Sequence, residues 1–397
     1  MILTMHIGIG TSTSRDHIRA AQEAVESARK QLGNKKIDVV MVFSTIEFAH
    51  PQVLKFIRRA FNDTPLFGAS SLGIITSERI LKYGIAVCLL SLPEDSYFNT
   101  ACVKEISKKS AGQAGQELGE KLLYGCKGVH RTMSIIFSDG LLLNGSELIA
   151  GLQERLGRSF PLIGASASDN FTFTKTCVYF NDEVLPDAAC GILFGGKLHF
   201  GLGIQHGWKP LGKPRKVTKS NAGRVSEIDN AAAAKIYEDY FAKSITAIKK
   251  DLRHLTMLYP IGIKIPGEKE YLLHNIIDID DSGILFQGEV PEASTIRLMI
   301  GTKESCLQAA AQSAHEARKN LGTHTPKFAL IFDSASRFAL FTRQANRELE
   351  SIKEKLGRDT PVIGIYTYAE QAPLSAINYL GKTYFQSHTM TTLAVAG

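Results

Sequence analysis

The chain has little that would place it outside the class of ordinary globular proteins. Its longest apolar runs are strand-sized and fall short of the ~18–20 residues that a membrane-spanning helix needs. No basic segment precedes the short apolar stretch at the N-terminus, so we expect no secretory signal peptide and no membrane partner. Charged residues make up 21% and apolar residues 44% of the 397 positions, a balance that excludes an intrinsically disordered protein.

Motifs for metals and nucleotides are also missing. The six cysteines form no C-x-x-C pair, and no Cys/His group has the spacing of a zinc site. Gly8-x-Gly10 lacks the last glycine of a dinucleotide fingerprint because Thr13 stands there, and no phosphate-loop lysine motif occurs. We therefore expect a protein of the reducing cytoplasm without metal or other cofactor.

Short β-branched runs alternate with helical patterns along the chain, which predicts an α/β fold. In the first helix, roughly residues 16–32, apolar residues recur three and four positions apart, as on one face of a helix. We expect Asp16 to cap the start of this helix and Gly33 its end.

An internal repeat is the strongest sign of organisation. A strand, a helix and a second strand with the pattern Pro-x-x-Gly occur three times, and the pattern starts at Pro65, Pro161 and Pro361. We expect the glycine to let the chain turn sharply after a short buried strand. A different segment, about residues 201–312, separates the last two copies and contains a predicted hairpin turn at 280–283. We predict two α/β domains, residues 1–203 and 204–397, with mixed, largely parallel sheets built from the repeated β-α-β units.

Small polar residues follow the strands of each repeat. Ligands of parallel α/β sheets bind beyond the carboxyl ends of the strands, so these residues are candidates for lining a pocket. The alternative is that they are ordinary turn residues, which are small and polar in most proteins. The candidates at these strand ends are Ser70, Ser71, Ser138, Asp139, Ser166, Tyr366 and Tyr368.

Evidence for catalysis is weak. The segments around Ser70 and Ser166 resemble the G-x-S-x-G nucleophile turn but lack its last glycine. A serine hydrolase also needs a placed histidine and acid, and His388 is the one late candidate. A hydrolase or transferase that uses one of these serine turns is the alternative hypothesis.

Two segments carry a family resemblance: residues 206–212, with the sequence HGWKPLG, and residues 361–370, with the sequence PVIGIYTYAE. With them the chain resembles the FIST family (F-box and intracellular signal transduction proteins), in both its N-terminal and C-terminal domains and over essentially the whole sequence. The chain departs from the family pattern at Asp333–Arg337, where Arg337 is kept and a cysteine is lost, and at Ala369, where a glycine is usual.

The resemblance implies a cytoplasmic sensory module that binds a small ligand, with amino acids the proposed class, and that has no chemistry of its own. It also implies a signalling partner of the histidine kinase, cyclic-dinucleotide enzyme or chemoreceptor type. Both ends of the chain are used by the two domains, so we expect this partner to be a separate protein.

The expected mechanism is closure of the two domains over a ligand in a shared cleft. Arg337 would clamp an acidic group of the ligand, and Glu370 would meet an amino group. The remaining expected contacts are Tyr366, Tyr368, Ser70, Ser166 and His388. The alternative is that Arg337 and Glu370 form an internal ion pair.

The net charge of +7 is concentrated in one stretch. Residues 188–226 contain seven Lys or Arg and no Asp or Glu, and the rest of the chain is balanced. We expect a basic patch that faces either the ligand cleft or an acidic partner surface. A nucleic-acid partner is not expected, because the stretch lacks the interleaved aromatics of a single-strand binder. The patch consists of Lys209, Lys213, Arg215 and Lys216.

Overall fold

The three copies of the repeat fold into three units with one order of strands and helices. The computed structural model describes residues 4–126, 128, 130–375 and 382–397. Unit 1 contains β1 (His6–Ser12), α1 (His17–Leu32), β2 (Val39–Thr45), α2 (Pro51–Ala60), β3 (Leu66–Ser71), β4 (Ile74–Thr76), β5 (Ile80–Leu81) and β6 (Ile85–Ser91). Unit 2 contains β7 (Tyr97–Lys104), α3 (Ala111–Leu123), β8 (Arg131–Ser138), α4 (Gly145–Leu156), β9 (Leu162–Ser166), β10 (Val178–Phe180), β11 (Glu183–Leu185) and β12 (Ala188–Gly195).

Unit 3 is interrupted by an inserted segment, residues 206–302. The unit begins with β13 (His199–Gln205). The inserted segment contains β14 (Lys209–Asn221), β15 (Arg224–Ile228), β16 (Ala231–Ala232), α5 (Lys235–Phe241), α6 (Ile245–Lys250), α7 (Leu252–Leu258), β17 (Ile261–Lys264), β18 (Tyr271–Leu273), β19 (Ile276–Asp280), β20 (Gly283–Phe286) and β21 (Thr295–Ile300). Unit 3 resumes with α8 (Lys303–Asn320), β22 (Phe328–Ser334), α9 (Ala335–Phe341), α10 (Asn346–Leu356), β23 (Val362–Thr367), β24 (Glu370–Ala372), β25 (Tyr384–Gln386) and β26 (Met390–Ala396).

Each unit builds one six-stranded sheet with the help of a neighbour. The orders are β1-β6-β2-β3-β10-β11, β7-β12-β8-β9-β24-β25 and β13-β26-β22-β23-β4-β5. The last two strands of every sheet form a hairpin that comes from another unit: unit 2 supplies unit 1, unit 3 supplies unit 2, and unit 1 supplies unit 3. The three units are therefore linked in a closed cycle by exchanged hairpins.

The sheets are mixed, as the sequence predicts, but the parallel part is small. One parallel pair lies at the centre of each sheet, β2–β3, β8–β9 and β22–β23, and all other pairings in the described residues are antiparallel. The register of these pairs relates the three repeats. Ser44 lies opposite Ser70, and Ser138 lies opposite Ser166. In unit 3 the equivalent positions carry Asp333 and Tyr366.

The repeated glycine does not turn the chain, contrary to the sequence prediction. Gly68 lies inside β3, which continues to Ser71. A Cβ atom at Gly68 would lie 1.8 Å from the carbonyl oxygen of Val42 on the adjacent parallel strand. The glycine is therefore required by close approach of two backbones within the sheet, and Gly164 and Gly364 face the same restriction.

A second group of glycines brings helices close to the outer strands. A Cβ at Gly10 of β1 would lie 1.9 Å from the Ala24 carbonyl of α1, and one at Gly203 of β13 would lie 1.8 Å from the Ser313 carbonyl of α8. The Gly8-x-Gly10 pattern thus serves helix packing. The predicted caps of α1 are confirmed: the Asp16 side chain accepts from two backbone N–H groups, and Gly33 is the C-terminal cap with φ 65°.

Three aromatic rings at equivalent positions join the units in the core. The Phe137 ring centroid lies 5.5 Å from that of Phe43 and 5.8 Å from that of Phe332, both in edge-to-face geometry. Each phenylalanine stands one residue before the paired strand-end position of its unit, and all three are fully buried. Strands from all three sheets thus bury their inner faces in one shared core.

The inserted segment has a hydrophobic core of its own under an antiparallel sheet of eight strands. The hairpin predicted at 280–283 is confirmed, since Asp280 of β19 lies opposite Gly283 of β20. The first helix of the segment, α5, begins at Lys235. The predicted domain boundary between residues 203 and 204 lies within β13, which pairs with β26.

We predict that Phe137→Ala lowers the free energy of unfolding by ~3–5 kcal/mol, because the substitution leaves a cavity at the contact of three sheets. Chemical denaturation followed by fluorescence of the single tryptophan, Trp208, measures the loss. The control is Tyr124→Ala, since Tyr124 is 84% exposed, and we expect it to change the free energy by less than ~0.5 kcal/mol. Equal losses in both variants would show that the rings do not join the units.

Candidate functional site

A cavity of about 390 Å³ lies where units 2 and 3 meet the inserted segment. It opens beyond the carboxyl ends of β8, β22 and β23, the kind of position in which α/β proteins bind ligands. One wall belongs to the inserted segment and the other to units 2 and 3. The lining residues are Gly140, Leu141, Leu143, Phe173, Arg253, Thr256, Met257, Asn275, Ile276, Ile277, Gln287, Ser334, Ala335, Ser336 and Tyr368.

A stack of three side chains crosses the cavity from one wall to the other. The ring of Tyr368 lies parallel to the ring of Phe173, with centroids 4.3 Å apart and 6° between the planes. On the other side of Phe173, the guanidinium carbon of Arg253 lies 4.1 Å from the ring centroid, a cation–π contact. Arg253 is exposed, and no salt bridge to it is found within the described ranges. Its N–H groups are therefore available to an anion.

Asp169 holds this stack in place. The hydroxyl of Tyr368 donates to Asp169, and the same carboxylate accepts from the backbone N–H groups of Phe173, Thr174 and Lys175 at 2.9–3.2 Å. Thr172 Oγ1 donates to it as well, at 2.8 Å. Burial alone raises the pKa of Asp169, but the hydrogen bonds from Tyr368 and this loop hold the pKa below its ordinary value.

The backbone of the loop that follows Asp169 is strained. Phe173 has a φ of 54°, in the left-handed region that a bulky side chain rarely adopts. Such strain persists where surrounding contacts determine the conformation, here the bonds to Asp169. The position of the Phe173 ring is thus fixed before any ligand arrives.

Two amide side chains connect the walls of the cavity. Asn275 Nδ2 donates to Gln287 Oε1 at 2.9 Å and to the Tyr368 carbonyl at 2.7 Å. Gln287 Nε2 in turn donates to the carbonyls of Gly140 and Leu142. These bonds attach the inserted segment to units 2 and 3 beside the cavity.

His388 lies behind the cavity wall. Its backbone N–H donates to Ser334 Oγ at 3.1 Å, and its Nε2 lies 3.3 Å from the Thr256 carbonyl. Complete burial lowers the pKa of His388 to about 3, so the ring is neutral at physiological pH. His388 supports two residues that line the cavity, Ser334 and Thr256, and does not line it itself.

The predicted serines bond to other protein groups, and two of them do so across joints between units. Ser70 Oγ donates to the Ser168 carbonyl at 3.0 Å, and Ser71 Oγ donates to the carbonyl of Tyr366 at 2.9 Å. Ser138 and Ser166 bond to each other at 3.0 Å across the parallel strands of unit 2. All four side chains are fully buried and none lines the cavity.

Asp139 shapes one edge of the cavity from below. Its carboxylate accepts from the N–H groups of Leu141 and Asp187 at 2.9 and 2.6 Å and from the hydroxyl of Thr176. It therefore fixes the turn that presents Gly140 and Leu141 to the cavity. Of the ten predicted ligand-binding residues, Tyr368 is the one that lines this cavity.

Arg337 does not fit the predicted role of a ligand clamp, because its guanidinium is fully buried among protein groups. Its Nε lies 2.9 Å from Asp333 Oδ1, and its Nη2 lies 2.5 Å from Glu348 Oε1. It also donates to the carbonyls of His206 and Cys306, both at 2.8 Å. The two carbonyls stand where the chain leaves unit 3 for the inserted segment and where it returns.

Glu370 is not the ion-pair partner of Arg337. Its carboxyl oxygens lie 2.5 Å from Thr367 Oγ1 and from Thr389 Oγ1, and the N–H of Thr389 donates to it at 3.0 Å. Burial raises the pKa of Glu370 to about 8, despite these hydrogen bonds. Tyr366 is buried as well, with its ring against Phe338 and away from the cavity.

The basic patch lies on β14, outside the lining of the cavity. Arg215 is 3.5 Å from Asp229, which neutralises part of the charge. Lys209, Lys213 and Lys216 are exposed. Of the two orientations that the sequence leaves open, the patch does not face this cavity.

Sequence reasoning missed Arg253, Phe173 and Gln287. Arg253 belongs to an ordinary run of polar residues on short helices, and nothing in its spacing marks it. The alternation Phe171-x-Phe173 in a polar loop is the one available signal, since aromatic side chains are uncommon in exposed turns. Within the part of the chain that the structure describes, no three His, Cys, Asp or Glu side chains are grouped to hold a metal ion.

The fold and the cavity define a three-unit α/β protein with an inserted sheet that covers a ligand-sized cavity. Family models identify it further: the FIST N domain matches residues 38–231 and the FIST C domain matches residues 233–373. The chain therefore belongs to the FIST family, with both of its domains. Among the described helices, none combines the length and the apolar character needed to cross a membrane.

Relatives of known sequence extend over both domains. An uncharacterized protein of Methanocaldococcus jannaschii is 24% identical over 304 residues, which are 72% of this chain and 58% of that protein. This chain thus spans less than two thirds of that relative. An uncharacterized protein of Mycobacterium tuberculosis is 21% identical over 392 residues, covering 95% of this chain and 97% of the other.

Solved structures give weaker matches. The cyanuric acid hydrolase of A. caulinodans aligns over 98% of this chain and 99% of its own, with a TM-score of 0.39 and 9% identity. A second cyanuric acid hydrolase structure aligns over 99% of this chain and 100% of its own, with a TM-score of 0.34 and 9% identity. Scores this low support no conclusion about fold or activity.

We predict that Arg337→Ala lowers the free energy of unfolding by ~3–5 kcal/mol, because two buried carboxyl groups lose their shared cation. The matched control is Arg347→Ala, whose side chain is exposed and bonds to Gln344. Limited proteolysis should also cut the variant more readily near residues 206 and 302, where the bonds to Arg337 are lost. A loss as small as that of the control would contradict the role of Arg337 in holding the inserted segment to unit 3.

We predict that Glu370→Gln removes a pH dependence of stability. Because burial raises the pKa of Glu370 to about 8, the native state holds a proton that an unfolded glutamate loses near pH 4.5. The wild type therefore loses stability as pH rises from about 4.5 to 8, by up to ~1.4 kcal/mol per pH unit from this group.

Denaturation of the wild type and Glu370→Gln at pH 5, 6.5 and 8 measures this effect. Asp333, whose pKa burial raises to about 7, contributes in both proteins, so the difference between them reports Glu370 together with its electrostatic interaction with Asp333. The free energy of unfolding of the variant, relative to that of the wild type, should increase at each higher pH. A difference that does not change with pH would contradict a protonated Glu370.

Proposed function

We propose that the protein is a sensory signal-transduction protein that binds a small anionic ligand, amino-acid-like or another small anion, in the cavity between units 2 and 3 and the inserted segment. The observation that carries the proposal is the exposed guanidinium of Arg253, held over Phe173 at the mouth of a 390 Å³ cavity. A planar cation that stacks on an aromatic ring, has no salt bridge among the described residues and lies beside an apolar pocket suits a carboxylate or a similar anion. Membership of a family associated with signal transduction supports a sensory role.

The inserted segment is the moving part in this proposal. Exchanged hairpins interlock the three units, so closure of two whole halves would break sheet pairings. The inserted segment has its own core and contributes one wall of the cavity, including Arg253, Asn275 and Ile277. A ligand that contacts both walls favours the arrangement in which they are close, and thereby shifts the population toward it.

The partner in this proposal is a separate cytoplasmic signalling protein of the kinase, cyclic-dinucleotide enzyme or chemoreceptor type. The basic residues of β14 support an acidic surface on that partner, because they are exposed and lie on the segment that we propose to move. No catalytic step is part of the proposal. The environments of Ser70 and Ser166 support this view, since both are fully buried and bonded to other protein groups.

The test is a calorimetric and thermal-shift survey of amino acids, organic acids and nucleotides with the wild type and Arg253→Ala. We expect at least one anionic compound to bind the wild type, and Arg253→Ala to weaken it at least ~10-fold, the effect of losing a charge-assisted hydrogen bond. Lys250→Ala, three residues away and outside the cavity, is the control and should bind as the wild type does. If no compound binds, or if both variants bind equally, the cavity is not the sensing site.

A further inference from the structure

The residues that line the cavity carry charge of one sign only. Arg253 is the one charged residue among those that line it, and no lining residue in the described ranges is Asp or Glu. The residues outside those ranges include no Asp or Glu in the sequence. A ligand in this cavity therefore meets a cation and no lining carboxylate.

Two carboxylates that bond to lining residues, Asp169 and Asp139, are already occupied. Asp169 accepts hydrogen bonds from Tyr368, Thr172 and the backbone of the loop that follows it. Asp139 accepts from Leu141, Thr176 and Asp187. A ligand ammonium group would thus leave water without gaining a carboxylate partner, and uncompensated burial of a charge is strongly unfavourable.

Apolar side chains surround the mouth of the cavity. Leu141, Leu143 and Ile277 are 37%, 52% and 41% exposed, and all three line the cavity. They make up half of the six large hydrophobic residues that are most exposed in the described part of the chain. Their convergence on one opening, where Met257 and Ile276 also line the wall, indicates an apolar contact surface for a ligand.

We propose that the cavity binds a monocarboxylate with an apolar body and no ammonium group. The carboxylate accepts from the N–H groups of Arg253, whose face remains on Phe173, and the body covers Leu141, Leu143 and Ile277. This inference rests on the proposed sensory function and narrows its ligand class, since it excludes free amino acids as the preferred ligands.

Matched pairs of compounds test the proposal by isothermal calorimetry on the full chain. 3-Phenylpropanoate differs from phenylalanine, and 4-methylpentanoate from leucine, by the absence of the α-ammonium group. 3-Phenylpropanamide keeps the body and lacks the negative charge. We expect each desamino acid to bind at least ten-fold more tightly than its amino acid, and 3-phenylpropanoate at least ten-fold more tightly than its amide.

Two cavity variants and one control complete the experiment. Arg253→Gln should weaken 3-phenylpropanoate at least ten-fold and reduce its advantage over the amide, and Ile277→Asn should weaken it several-fold. Lys250→Ala should bind as the wild type does. Because Arg253 and Ile277 are exposed, thermal unfolding of the free variants near the wild-type temperature shows that they fold.

The outcomes separate the two proposals. If amino acids bind as tightly as their desamino partners or more tightly, in a way that depends on Arg253, the inference is overturned and the sensory function stands. If 3-phenylpropanoate and 4-methylpentanoate do not bind but another organic anion does, the inference is likewise overturned and the sensory function stands. If no anion binds, both proposals fail.

Discussion

The structure depends on one buried cation that holds two distant parts of the chain at a single point. Arg337 is fully buried and forms salt bridges with Asp333 and Glu348. The same guanidinium binds the carbonyls of His206, where the inserted segment begins, and of Cys306, near the start of the helix that follows it. A sheet of eight strands is thus attached to unit 3 at the base, while its far side meets the cavity through Asn275 and Gln287. The inserted segment is thus held by buried ionic contacts at its base and by amide hydrogen bonds beside the cavity.

Burial of this cation also affects the ionisation of the carboxyl groups around it. Two carboxyl groups and one guanidinium share a space without water, and burial raises the pKa of Asp333 to about 7 and that of Glu348 as well. Charges in such a place are stable only as a set, because removal of one leaves the others unpaired. An arginine is required at position 337 because it bonds to two backbone carbonyls and two carboxyl groups at once. An apolar residue of similar size could not form these bonds.

Local features of the fold could be predicted from the sequence, and long-range ones could not. The cap at Asp16, the hairpin at 280–283 and the three repeated strand pairs depend on residues close together in the chain. The role of Gly68 was predicted wrongly, because a glycine in a turn and a glycine beneath a neighbouring backbone look alike in sequence. Arg253 and Phe173 are 80 positions apart in the chain and meet only through the packing of the inserted segment on unit 2. The predicted serines lie at strand ends, but their hydroxyl groups bond to other protein groups and do not line the cavity.

The exchange of hairpins also sets an order of events during synthesis. The β10–β11 hairpin that completes the sheet of unit 1 ends at Leu185, so this sheet can close once the first half of the chain exists. The β4–β5 hairpin, made before residue 82, pairs with residues 363–365 and must wait for almost the whole of the remaining chain. Until then it is an unpaired ribbon with apolar residues and open backbone groups, which is prone to association with other chains. The border between the two family domains therefore does not separate two independently folding parts. The fold is complete only when the sheet of unit 3 pairs with the β4–β5 hairpin from near the start of the chain.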